Sequence, residues 1–223
     1  MPCQMVHLCV AKKLIDTGFL INDVPMFCLG TISPDAIHMR QNADRQTKMA
    51  VHLLPFGKTR DNTDESTYIK IVNDFISTNK CKTNRDFLLG YVVHILADIH
   101  WHSTTWRKFE NEYKKSFAPF EGWRKAYYND TDIVDYILYK ESPWRNDLWQ
   151  DMQNLEYFDF LDILLAGEIK LWNERTLNFY DDPENQYKFI GKPKFITKSD
   201  IDDFISSCTD LISIYLSHFQ PLS

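Results

Sequence analysis

His94 and Asp98 are the first residues in the sequence from which chemistry can be read. They stand four apart in FLLGYVVHILADIHWH, a spacing that puts both side chains on one face of a helix, about one turn apart. An imidazole and a carboxylate so placed can reach one metal ion. They can equally form a hydrogen-bonded brace inside a core, which is how many buried ion pairs are used. The stretch from Phe87 to Leu96 is apolar on nearly all sides, and a carboxylate buried in such surroundings is costly unless paired or bound to metal.

Three other residues have the same character. His7 lies among apolar neighbours in MVHLCV, Asp35 follows Pro34 in a turn, and His52 sits in AVHLLPF. Each taken singly reads as a satisfied polar residue of a core. Together with His94 and Asp98 they make a set of nitrogen and carboxylate donors in the first hundred residues. Such a set, with no C-x-x-C pair beside it, suits zinc, and manganese or iron would also accept it.

The elements that must position these residues read as helices. The chain has 223 residues with only 7 glycines, too few for the frequent tight turns of sandwiches and barrels. Apolar periodicity predicts helices near residues 4–18, 43–54, 65–78, 121–141, 146–177 and 199–218. The segment FCLGTISPDAIHMR reads as a loop, because Gly30 and the Ser33-Pro34-Asp35 turn interrupt any period. Thr83-x-x-Asp86 resembles a capping box that opens the helix at 84–103. Residues 178–194, with two proline-containing turns, read as loop. The expectation is one all-α domain over 1–223, of six or seven helices packed around the apolar helix at 84–103.

The formal charge of −6 argues against a dedicated nucleic-acid-binding surface, which needs a basic excess. It leaves room for a small phosphoester, since a metal supplies the positive charge. Five scattered cysteines read as reduced thiols. No basic-then-apolar leader opens the sequence, and the run from Phe87 to Ala97 is too short to span a bilayer. A soluble cytoplasmic protein is expected, of unread oligomeric state.

In order along the chain, these residues resemble the zinc-dependent phospholipase C family. Its members show an early histidine, a Gly-x-x-x-Pro-Asp turn, a further histidine, then Gly-Tyr-x-x-His-x-x-x-Asp. The matching elements are His7, Gly30 to Asp35, His52, and Gly90-Tyr91-Val92-Val93-His94-Ile95-Leu96-Ala97-Asp98. The resemblance covers about the first 105 residues. It implies the all-α phospholipase C/P1 nuclease fold and hydrolysis of a phosphodiester or phospholipid-like substrate. A zinc-dependent nuclease or nucleotidase, and a non-catalytic metal-binding protein, are the alternatives.

The resemblance also implies roles. Asp98 would bridge two zinc ions, with Asp35, His52 and His94 completing one site and His7 the other. One or two ions are expected, with Asp35 doubling as general base. The family's third zinc site uses a histidine soon after the bridging aspartate, a place taken by His102. It also uses a His-x-x-x-Glu pair, which is absent from the sequence.

Around the helix, His102 is rotated by about 40° from Asp98 while His100 is about 200° away and points elsewhere. His38 and Arg40, just past the Pro-Asp turn, are candidates for binding substrate, Arg40 through bidentate contact with phosphate. Arg45 could serve the same end. Trp101, Trp106, Trp123 and Tyr127 could wall a pocket or fill the core. His218 is expected to be unrelated.

Overall fold

The structure is a computed structural model that describes residues 2–59, 61, 63–116 and 122–217. His218 lies outside the described residues. Among the described residues, ten α-helices run in chain order: α1 (Gln4–Asp16), α2 (Val24–Ile32), α3 (Arg45–Val51), α4 (Glu65–Asn79), α5 (Arg85–Trp101), α6 (Arg107–Lys115), α7 (Trp123–Glu141), α8 (Arg145–Gln153), α9 (Ala166–Phe179) and α10 (Lys198–Leu216). Among the described residues there is no strand, only an isolated antiparallel bridge between Phe160 and Leu164. The fold is all-α, as expected, with more helices than the six or seven read from periodicity.

The centre of the packing is α5. Thirteen consecutive residues from Asp86 to Asp98 are buried, so no face of this part of the helix meets solvent. Apolar residues from all ten helices join one buried cluster around it. The cap differs from the expected Thr83-x-x-Asp86 box. Asn84 caps the helix by accepting from the Phe87 N–H at 3.0 Å. The Asp86 carboxylate accepts instead from the N–H groups of Asn22 and Asp23, at 2.9 and 2.7 Å, and so ties the start of α2 to the start of α5.

The largest correction concerns residues 27–40. They are the end of α2 and a 3-10 helix over Ser33–Met39, where a loop was expected. Asp23 caps α2 by accepting from the Met26 N–H, and Pro25 sits in the first turn, where its missing N–H costs nothing. Gly30 is in the helix because α2 and α5 touch backbone to backbone. A Cβ on Gly30 would lie 2.2 Å from the Phe87 carbonyl oxygen, and one on Gly90 would lie 2.0 Å from that of Phe27. The glycine that signals a break in the sequence is thus a demand of close helix approach.

The expected helix at 146–177 is two helices, α8 and α9, separated by residues 154–165. That connection is anchored by Phe160, which is fully buried against Phe87 and Tyr91 with ring centroids 4.8 and 4.7 Å apart. Residues 178–194 include a 3-10 helix over Pro183–Phe189. From α5 the chain continues through a π-helical turn, His102–Trp106, directly into α6.

Candidate metal centre

Five side chains from four segments meet beside α5. His7 comes from the first turns of α1, Asp35 from the 3-10 helix after α2, His52 from the C-terminal cap of α3, and His94 and Asp98 from α5. All are buried, with His94 at 0% exposure and Asp35, the most open, at 8%. Local packing explains how each is held. The close approach of α2 to α5 puts the Thr31 carbonyl 2.8 Å from His94 Nδ1. The end of α3 is pinned by Tyr91 and Tyr68, whose hydroxyls donate to the carbonyls of Val51 and His52. Asp135 of α7 accepts from the Val6 N–H at 3.1 Å and so fixes the turn that carries His7.

The donor atoms form two overlapping triads. His7, His94 and Asp98 place ligand atoms within 4.8 Å of one another, and so do Asp35, His52 and His94. Asp98 turns Oδ1 toward His7 Nε2, at 3.8 Å, and Oδ2 toward the Nε2 atoms of His52 and His94, both at 3.7 Å. His52 Nε2 is also 3.5 Å from Asp35 Oδ1. These separations are too long for hydrogen bonds. They are close to the roughly 3.4 Å expected between two ligands bonded at about 2.1 Å to one tetrahedral ion.

Tautomers sharpen this. A carbonyl oxygen only accepts, so the proton of neutral His94 is on Nδ1, facing Thr31, and that of neutral His52 is on Nδ1, 2.9 Å from the Lys48 carbonyl. Both Nε2 lone pairs then point at carboxylates. His7 Nδ1 and Nε2, His52 Nε2, His94 Nε2 and Asp35 Oδ1 are buried without a hydrogen-bond partner. Lone pairs facing anions in a dry interior repel, and a cation among them removes the conflict. Backbone partners on the outer ring nitrogens are also the usual support for metal-bound histidines.

The electrostatics favour the forms a metal takes up. Burial, reinforced by the neighbouring His94, holds His7 well below the ordinary histidine pKa. Burial likewise lowers His94, against the opposing pull of Asp98 and Asp35. Burial would raise the Asp35 carboxyl, and only positive charge at His52, His94 and His7, the place a bound cation would take, brings it well below the usual carboxylate range. Neutral imidazoles and ionised carboxylates are the ligating species.

The centre opens to solvent at Asp35. That residue and His38 line a cleft of about 570 Å³ whose other wall is built by Tyr128, Asp132, Trp172, Arg175, Phe179 and Lys188. His38, half-buried, holds Nε2 at 3.9 Å from Asp35 Oδ1, while burial lowers its pKa. Arg40 is directed elsewhere: its guanidinium donates to both Glu168 oxygens, at 2.6 and 2.8 Å, and to the Ile163 carbonyl. Arg45 is exposed on the first turn of α3.

His102 lies beyond the end of α5, with Nε2 3.1 Å from Asp61 Oδ1, and joins neither triad. His100 packs on Phe204 and meets Ser207 Oγ at 2.9 Å, pointing away as expected. Trp101, Trp106, Trp123 and Tyr127 pack on one another as an aromatic cluster that takes no part in the cleft lining. Sequence reasoning missed Trp172, Arg175 and Lys188, which come from α9 and the 3-10 helix after it. Nothing in their local pattern separates them from the polar faces of ordinary helices.

The fold and this site define a helical protein built around a buried three-histidine, two-carboxylate donor set. The model of the zinc dependent phospholipase C family matches residues 6–187, and the chain belongs to that family. Neither a curated protein nor a solved structure matches the chain significantly.

Proposed function

We propose that the protein is a zinc-dependent phosphoesterase that cleaves a phosphodiester of the phospholipid type. The observation that carries this reading is the convergence of unpartnered, buried imidazole nitrogens on two carboxylates at the inner end of an open cleft. His7, His52, His94, Asp35 and Asp98 would hold one or two zinc ions, manganese and iron being acceptable to the same donors. The opposed oxygens of Asp98 suit it to serve both triads. Bound divalent metal lowers the pKa of a water and offsets the charge that builds on a phosphoryl group under attack.

The remaining chemistry falls to the chain. Asp35, which a bound cation would keep ionised, is the member of the set that also lines the cleft, so it is placed to accept a proton from an attacking water. His38 stands next to it, neutral at pH 7 because of its lowered pKa, and would hold a substrate oxygen at the mouth. Burial of the other donors keeps bulk water from the inner face of the site. Arg40 would support the cleft indirectly, through its bidentate pair with Glu168 at the start of α9.

No helix among the described residues is long and apolar enough to cross a membrane. Five free cysteines suit a reducing compartment, and we assign the protein to the cytoplasm as a single domain.

The test is turnover by zinc-loaded protein on bis-aryl phosphates, phospholipids and single-stranded nucleic acid. Cleavage of a phosphodiester or phospholipid, lost at least a hundredfold in Asp98→Asn with helicity intact, is the expected result. Preference for single-stranded nucleic acid would make the protein a nuclease. Zinc binding without any turnover would make it a non-catalytic metal-binding protein.

A further inference from the structure

The cleft beside Asp35 has a second feature, on the wall contributed by α9 and the following 3-10 helix. The Arg175 guanidinium carbon lies 4.8 Å from the Trp172 ring centroid and 5.2 Å from that of Phe179. Lys188 Nζ lies 4.9 Å from the Phe179 ring centroid and donates to Asn185 Oδ1 at 2.6 Å. Both cations line the cleft, gathered around one aromatic ring. Neither has a carboxylate within ion-pair distance among the described residues, whereas Arg40, Arg85, Lys108 and Lys198 all do. The cleft also holds two carboxylates, Asp35, which belongs to the donor set, and Asp132, which feels the charge of Lys188 and Arg175 without closing an ion pair with either.

Two cations held on aromatic faces, with no carboxylate in ion-pair contact, form a preorganised anion site. Trp172 strengthens the case: it is 5% exposed, and its Nε1 is buried without a hydrogen-bond partner. The scissile phosphate belongs at the Asp35 end, where the donor set stands. Arg175 and Lys188 remain open to a further anionic group, and a cleft of about 570 Å³ has room for a headgroup that carries one.

We propose that Arg175 and Lys188 form an anion subsite, and that the preferred substrate is a phosphodiester whose polar headgroup bears a second anionic group, such as a phosphate. This rests on the phosphoesterase reading above. A cationic headgroup would meet like charge in the same place and be disfavoured.

The experiment compares two matched pairs that differ by one phosphate. Turnover of zinc-loaded protein is measured on phosphatidylinositol and phosphatidylinositol 4-phosphate in mixed micelles. Binding of inositol 1-phosphate and inositol 1,4-bisphosphate is measured by calorimetry. The added phosphate should raise kcat/KM and affinity by about tenfold or more, the range of charge-assisted hydrogen bonds.

The double variant Arg175→Gln, Lys188→Gln should bring both ratios to within about twofold of one, and Arg175→Lys should retain part of the preference. Lys170→Gln, on the same helix but outside the cleft lining, should leave both ratios unchanged. Equal handling of the paired ligands by the unaltered protein, or a preference that survives in the double variant, overturns the proposal. Turnover of neither lipid would count against the phosphoesterase reading, while the calorimetric ratio would still decide the subsite.

Discussion

Asp130 and Asp35 are both buried carboxylates, and the difference between their surroundings separates a brace from a metal ligand. The Asp130 Oδ2 atom accepts from the backbone N–H groups of Phe195 and Ile196 at 2.5 and 3.1 Å, and so fixes the approach to α10. Asp135 is similar, accepting from the Val6 N–H and the Tyr180 hydroxyl. Around Asp35 no such donors are supplied. His52 Nε2 stands 3.5 Å from its Oδ1, but the His52 proton is committed to the far side of the ring. In α7 the fold provides protons for its buried acids, and at Asp35 it sets an imidazole ring nitrogen without a proton against the carboxylate instead.

That comparison can be broken in three ways. The largest effect should come from chelation. If metal binds the native state with a thousandfold margin over its Kd, removing it costs about 4 kcal/mol, or roughly 8–16 °C in Tm for a chain of this size. Scanning calorimetry with and without a chelator measures this, and an unchanged Tm would place the five donors with the braces.

Asp130→Ala should act on stability alone. Two backbone N–H groups lose their partner at a cost of about 1–3 kcal/mol each, while zinc stoichiometry stays at the unaltered value. Loss of metal in this variant would erase the distinction between the two regions.

The smallest effect concerns Asp135. Burial pushes its carboxyl up to about 7, so the folded state holds the proton more tightly than the unfolded chain does. Its contribution is greatest below about pH 4 and fades as the pH rises toward 7. Relative to the unaltered protein, Asp135→Asn should therefore gain several degrees in Tm between pH 4.5 and 7.5. His7 and His94 work in the opposite sense, because their pKa values are lowered: stability they confer is lost as pH falls below about 6.5. A difference that does not change with pH would show that Asp135 is already ionised in the fold.

The part of the site closest in sequence was the most legible. The i, i+4 spacing of His94 and Asp98 in an apolar helix survives intact, and the ordered set of His7, Asp35 and His52 does converge on it. Helices α4, α7 and α10 follow their apolar stripes within a few residues.

Failures arose where long-range contact overrides local signals. Gly30 reads as a breaker until the Phe87 backbone is seen beside it. The stripe expected over 146–177 breaks at residues 154–165, where Phe160 packs onto Phe87 and Tyr91 of α5. Arg40 has the right neighbours in sequence for binding phosphate, yet Glu168, 128 positions away, holds its guanidinium. Arg175 and Lys188 could not be found at all, since only the fold brings them to the cleft that Asp35 lines.

The most direct test of the central claim is the metal content of the purified, zinc-equilibrated protein, counted by plasma mass spectrometry and located by anomalous scattering. One or two zinc ions per chain, among His7, Asp35, His52, His94 and Asp98, is the predicted result. It should collapse in His94→Ala, which removes the ligand common to both triads, and persist in Asp130→Ala. A chain that carries no zinc above background, or whose zinc is indifferent to His94→Ala, would contradict the account.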